Sequence, residues 1–316
     1  MEALYWSGRE LSLNPAYPTP KADDQTALVK VHLAGICSTD LQIFKGYMNF
    51  RGVPGHEFVG FVVEGPKTLI EKRVVGEINF ACGRCEFCRR ELNRHCPNRS
   101  VMGILNADGG FAEFVAVPVV NLHVVSASIT DEEAVFTEPL AAAFEILDQV
   151  QVNPGDAVLV LGDGKLGNLC AQVLRLTGAN VTALGKHPDN LKLIKRFGIR
   201  TMLLSDRVPK QFDVVVEATG SASGLQLAMS AVRPRGTLVL KTTIGGEHKV
   251  SLAPLVINEI TTVGSRCGPF APALDALQQR SVSVTPLIEK IYPLSDGIDA
   301  VVHAGKPGAR KILLRP

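Results

Sequence analysis

From residue 28 to residue 125 the apolar positions come in short runs, ALVKVHLAG, EFVGFVVEG and GFAEFVAVP among them, broken by glycine, proline and charged turns. Short runs rich in valine and phenylalanine predict strands, and the stretch as a whole a β-rich domain. After Asp131 the texture changes. EEAVFTEPLAAAFEILDQV spaces its apolar residues three and four apart among alanine, leucine and glutamate, which predicts a helix. Apolar runs then follow at 158–161, 181–184, 202–204, 214–216, 238–240 and about 261–263, mostly separated by helical segments such as LGNLCAQVLRLTG and NLKLIKRFG. Six strands in this order predict an α/β fold with a parallel, doubly wound sheet. From about residue 269 to 316 short strands and turns return and fit a segment that completes the first domain. The expected division is therefore 1–140, 141–268 and a returning 269–316.

Composition narrows the function classes. A chain of 316 residues can bury a core in each of roughly two domains. Lysine and arginine number 33 against 31 acids, a net charge of +2, so electrostatics give no reason to expect nucleic acid or an anionic membrane as partner. MEALYWSGRE has no basic stretch followed by an apolar run, and no apolar run approaches the roughly twenty residues of a membrane helix. A soluble, cytoplasmic protein is expected. Seven cysteines, an odd number, fit metal or thiol chemistry better than a disulfide framework.

VLVLGDGKLGNLCAQVL carries Gly162, Gly164 and Gly167 in the spacing G-x-G-x-x-G, between an apolar strand and a helix that begins near Lys165 and Leu166. The first glycine permits the tight turn, the second lets the backbone approach a pyrophosphate, and the third lets helix and strand pack closely. Free N–H groups and the dipole at the helix start then favour the phosphates. About twenty residues on, where an acidic residue normally binds the ribose of NAD, the chain has Gly185, Lys186 and His187. A carboxylate there would repel a 2′-phosphate, whereas glycine beside a cation makes room and offers charge, so NADP(H) is expected over NAD(H). Ala218, Thr219 and Gly220 follow the fourth strand of this sheet at its carboxyl end, where such folds place the cofactor crevice.

CGRCEFCRRELNRHC puts Cys82, Cys85, Cys88 and Cys96 on one short loop. Four thiolates can surround a zinc ion with no position left for water or substrate, a structural site. An iron–sulfur cluster or a redox dithiol pair remain the alternatives at this point. Arg84, Arg89, Arg90, Arg94 and Arg99 nearby read as solvated surface. Two further turns, AGICSTDLQIFKG and VPGHEFVGFV, offer Cys37 and His56 as zinc ligands, with the Glu57 carboxylate beside them. His32, His123, His248 and His303 have no partner at ligand spacing; Cys170 reads as buried packing, and Tyr47, Met48 and Phe50 as pocket lining or core.

Taken in order, GICSTD, GHEFVG, the four-cysteine lobe, DGGFAEF, TEPLA and GDGKLG resemble the zinc-dependent medium-chain dehydrogenase/reductase family, over nearly the whole chain. The resemblance implies a GroES-like β domain built from both chain ends, a Rossmann domain, and an active site in the cleft between them. It implies a catalytic zinc held by Cys37, His56 and Glu138 of TEPLA, with Glu57 as an inner-sphere or exchanging ligand, and a second, structural zinc on the four cysteines. It makes Thr39 the hydroxyl that takes the alcohol proton, Asp40 the acid that orients the histidine ligand, and Arg310 of GARKILLRP a contact to the cofactor pyrophosphate. Gln42 stands where the family often has a proton-passing histidine, and glutamine has no titratable proton near neutral pH. The implied activity is hydride transfer between a secondary alcohol or polyol, or the corresponding carbonyl, and NAD(P), in a homodimer or homotetramer. A non-catalytic nucleotide-sensing or nucleic-acid-binding relative, or a zinc-independent alkene or quinone reductase, would be the rival readings.

Overall fold

The computed structural model describes residues 1–209, 211–243 and 250–316; His248 lies outside them. The chain folds into two compact units, one of Met1–Glu138, Ala273–Gln279 and Leu287–Pro316, the other of Pro139–Pro272 and Arg280–Pro286. No helix among the described residues is long and apolar enough to cross a membrane.

In chain order the first unit begins with β1 (Ala3–Trp6), β2 (Leu11–Asn14), β3 (Thr26–Gly35), α1 (Ser38–Ile43), β4 (Glu57–Glu64), β5 (Arg73–Gly76), β6 (Asn79–Phe80), α2 (Glu86–Arg89), β7 (Ser100–Val101), β8 (Phe114–Pro118), β9 (Leu122–Val124) and α3 (Asp131–Ala134), and α4 (Thr137–Gln149) leads into the second. There β10 (Ala157–Leu161), α5 (Lys165–Arg175), β11 (Asn180–Gly185), α6 (Pro188–Arg196), β12 (Arg200–Leu203), β13 (Phe212–Glu217), α7 (Ala222–Ala231), β14 (Val232–Leu240), α8 (Ala253–Ile257) and β15 (Thr261–Gly264) alternate. After α9 (Phe270–Gln278) come β16 (Ile288–Pro293), α10 (Gly297–Ala304) and β17 (Lys311–Arg315) of the first unit.

The main sheet of the first unit runs β16-β17-β3-β4-β5-β9, with β8 also on β3. The C-terminal strand β17 thus joins the N-terminal strand β3, pairing Leu313 with Gly35. Valines and leucines of β3 and β4 fill its core, among them Val29, Val31, Leu33 and Val59. The second unit is a six-stranded parallel sheet in the order β12-β11-β10-β13-β14-β15, the doubly wound arrangement the alternating runs predict. Its inner strands β10, β11 and β13 are buried on both faces, which is why they read as apolar runs, while the edge strands β12 and β15 are largely exposed.

Two expectations need correction. The helix across 132–150 is two helices, α3 and α4, because Pro139 has no N–H to continue the ladder; α4 instead starts afresh with Pro139 in its first turn, and the Thr137 hydroxyl donates to Ala134 O at 2.7 Å. The segment 269–316 does not all return to the first unit. Residues 269–272 and Arg280–Pro286 group with the second, where the Gln172 side chain of α5 both donates to Ser283 O (3.0 Å) and accepts from Ser283 N (2.9 Å).

Candidate active site

The β3–β4 pairing sets Gly35 opposite Glu57, so the residues just after β3 and just before β4 meet. Cys37 caps α1 with extended backbone, and its N–H donates to Asp40 Oδ2 at 2.8 Å, which fixes Asp40 in the first helical turn. The other oxygen of Asp40 lies 3.1 Å from His56 Nδ1, and the two side chains are 0% and 3% exposed. His56 follows Gly55, whose φ of +97° and closeness to the Phe111 ring, 2.3 Å from any added Cβ, require glycine there. The ligand atoms of Cys37, His56 and Glu57 all lie within 4.8 Å of one another. Thr39 Oγ1 stands 3.8 Å from Cys37 Sγ.

Burial lowers the basicity of His56, but the Asp40 carboxylate and Cys37 sulfur outweigh it and hold the imidazole well above its ordinary value. Buried Glu57 gives one carboxylate oxygen to Lys311 Nζ, and its Oε1 has no hydrogen-bond partner among the described residues. A soft thiolate, an imidazole and a buried carboxylate with an uncommitted oxygen are a donor set that fits zinc. Glu138, half-buried in the first turn of α4, is not one of these three.

Lys311, beside Arg310, carries no local signal of its role in the sequence. Arg310 is 40% exposed and faces Glu289: its N–H donates to Oε2 at 2.8 Å and its side chain stands 3.9 Å away. Lys311 heads KILLR, a strand buried on both faces, and a lysine there must find a counter-charge. It finds Glu57, and Glu57 and Cys37 hold its ammonium above the ordinary value against the opposing effect of burial.

In the second unit the glycine turn closes as its spacing requires. Gly162 has φ +121° and lies against Ala218 O, 2.5 Å from an added Cβ; a Cβ on Gly167 would stand 2.0 Å from Gly162 O. A Cβ on Gly164, which caps α5, would meet nothing within 4 Å. Ala218 N–H donates to Leu161 O at 2.8 Å, and Thr219 donates its hydroxyl (2.5 Å) and its N–H (2.7 Å) to the buried Glu217 carboxylate. Gly185 ends β11 buried, with Lys186 exposed and His187 half-buried after it.

The sulfurs of Cys82, Cys85, Cys88 and Cys96 stand 3.4 to 4.0 Å apart in the pairs 85–88, 82–96, 85–96 and 82–88. A tetrahedron with zinc–sulfur arms of about 2.3 Å has edges of roughly 3.8 Å, so the four fit one zinc ion. The N–H groups of Arg84 and Cys85 draw the Cys82 thiol down to about 6, towards the thiolate that metals bind. Other candidates are accounted for structurally. His32, His123 and His303 sit 3.0 to 3.2 Å from Asp131, Glu77 and Glu289, Cys170 and Phe50 are buried, and Met48 is 44% exposed.

This architecture and site agree with known families. Residues 23–127 match the alcohol dehydrogenase GroES-like domain, and residues 166–279 match zinc-binding dehydrogenase. The chain belongs to the zinc-dependent medium-chain dehydrogenase/reductase family and is an oxidoreductase of the alcohol dehydrogenase type. It is 29% identical to D-arabinitol dehydrogenase 1 of Uromyces fabae, over 100% of this chain and 97% of that one. Its structure is similar to a zinc-binding dehydrogenase of Sinorhizobium meliloti 1021 bound to NADP (TM-score 0.91, 26% identity, 100% and 99% of the two chains). It is also similar to an alcohol dehydrogenase of Escherichia coli CFT073 complexed with NADH (TM-score 0.92, 25% identity, 100% and 99%).

Proposed function

We propose that the protein oxidises a polyol or secondary alcohol, or reduces the corresponding carbonyl, with NADP(H) preferred over NAD(H) and two zinc ions per chain. The buried set Cys37, His56 and Glu57 carries the reading, because it combines zinc donors with a carboxylate oxygen left uncommitted. Cys37, His56 and Glu138 are the ligands of one zinc, Glu57 its exchanging ligand, and the four cysteines hold the other. Zinc at the first position supplies Lewis acidity to an alcohol or carbonyl oxygen. Asp40, held by the Cys37 N–H, orients His56 as a ligand. The Thr39 hydroxyl takes the alcohol proton, and since Gln42 has no titratable proton near neutral pH, the proton then leaves through water. The open backbone around Gly164 receives the pyrophosphate, assisted by Arg310, and Lys186 the 2′-phosphate.

Two further properties belong to this reading. Val256 and Ile257 on α8 are each 77% exposed and β15 forms a sheet edge, which supports a homodimer or homotetramer. None of the seven cysteines, all among the described residues, is in a disulfide, which supports a cytoplasmic location. The test is a panel of polyols, simple secondary alcohols and their carbonyls, each run with NADP and with NAD. Turnover of polyols with NADP is expected; no turnover of any alcohol or carbonyl with either cofactor would refute the activity.

A further inference from the structure

Gly185 ends the second strand of the cofactor sheet, at the position where a carboxylate would favour NAD. Its lack of a side chain does not leave that space free. A Cβ built on Gly185 would stand 2.3 Å from both Cβ and Oδ2 of Asp163 and 2.4 Å from its Cγ. The glycine of β11 is therefore the counterpart of the aspartate in GDGKLG: the carboxylate over this strand end comes from the first turn instead.

That carboxylate is committed. Asp163 is 7% exposed. Its Oδ2 accepts the backbone N–H of His187 at 2.6 Å, and its Oδ1 lies 2.9 Å from His187 Nδ1. A carboxylate only accepts, so Nδ1 carries the proton in either charge state of the ring. Nε2 is then the free nitrogen, with no hydrogen-bond partner among the described residues. The negative charge also sits between the starts of α5 and α6, where helix dipoles favour it. One side chain thus ties the glycine turn to the loop Lys186–His187 and turns its own oxygens inward.

We propose that Asp163 is a positioning residue for cofactor choice: by clamping His187 it holds the His187 ring and the adjacent Lys186 in place to receive the 2′-phosphate of NADP(H). This rests on the NADP(H) preference proposed above. An Asp163 that instead bonded the ribose hydroxyls would favour NAD(H), and its two oxygens would have to leave His187 to do so.

The experiment is fluorescence titration of the zinc-loaded enzyme with NADPH and with NADH. A wild type that binds NADH more tightly overturns the cofactor preference, and this is seen before any variant is made. Given a wild type that prefers NADPH, Asp163→Ala is expected to weaken NADPH at least tenfold and NADH less than twofold. Asp163→Asn, which keeps an acceptor for the His187 N–H, is expected to fall between, and it serves where the alanine variant does not fold. Equal weakening of both cofactors, or tighter NADPH binding by either variant, would overturn the positioning role alone.

Discussion

Lys311 Nζ and the Glu57 carboxylate form an ion pair with 1% of either side chain exposed, although 254 positions separate them. Removing one partner of such a pair strands a charge in the interior, at a cost of about 3–5 kcal/mol. Lys311→Met is expected to lower the unfolding free energy by about that much in urea titrations, and the double variant Glu57→Gln/Lys311→Met to regain most of it. Equal stability of Lys311→Met and wild type would show the pair to be incidental.

Cys37 Sγ donates to the Thr39 hydroxyl oxygen across 3.8 Å. If it takes the substrate proton, Thr39→Val should lower kcat by about 100-fold or more, the usual share of a positioned proton acceptor. Zinc content should stay at the wild-type level, and a normal kcat would remove Thr39 from the mechanism.

The pairings just named mark the boundary of what can be read from sequence. The inner strands β10, β11 and β13 were legible because parallel strands buried on both faces make unbroken apolar runs, and GDGKLG because its requirements are local to one turn. The proximity of Cys37 and His56 was legible only through resemblance, since it depends on the antiparallel register of Gly35 with Glu57. Lys311 and Asp163 were missed for different reasons. Lys311 acts across almost the full chain, through a pairing of terminal strands that no local pattern encodes. Asp163 occupies a variable position of a glycine motif, and its contacts with Gly185 and His187 depend on how the turn folds over the end of β11. Pro139, which enforces the break between α3 and α4, was visible in the sequence but outweighed by the helical periodicity around it.

Loss of a cysteine from the lobe should act on stability before chemistry. Cys96 is fully buried among the four sulfurs. Cys96→Ala is expected to release one zinc per chain and lower Tm, because a closed site contributes folding energy and no reactivity. The fraction that remains folded should keep its turnover, measured per intact cofactor site. Turnover lost with Tm unchanged would place the lobe in the chemistry.

Asp213 gives a pH signature in the second unit. The Arg233 guanidinium, 2.6 Å away, and the Ala157 N–H, 2.7 Å away, hold its carboxyl below the ordinary value of 3.8. A depressed carboxylate contributes its full stability above the unfolded value and loses it as pH falls through the folded one. Wild type should exceed Asp213→Asn by about 1 kcal/mol at pH 7 in urea titrations, with partial exposure discounted. The gap should narrow below about pH 4. A gap that widens on acidification would contradict the assignment.

The division of labour between two metal sites is tested most directly by elemental analysis of zinc per chain, paired with turnover, in wild type and His56→Ala. Two zinc ions in the wild type and one in the variant are expected, with turnover abolished and NADPH binding retained. Equal zinc in the two proteins, or a variant that turns over at the wild-type rate, would contradict a catalytic site at Cys37 and His56.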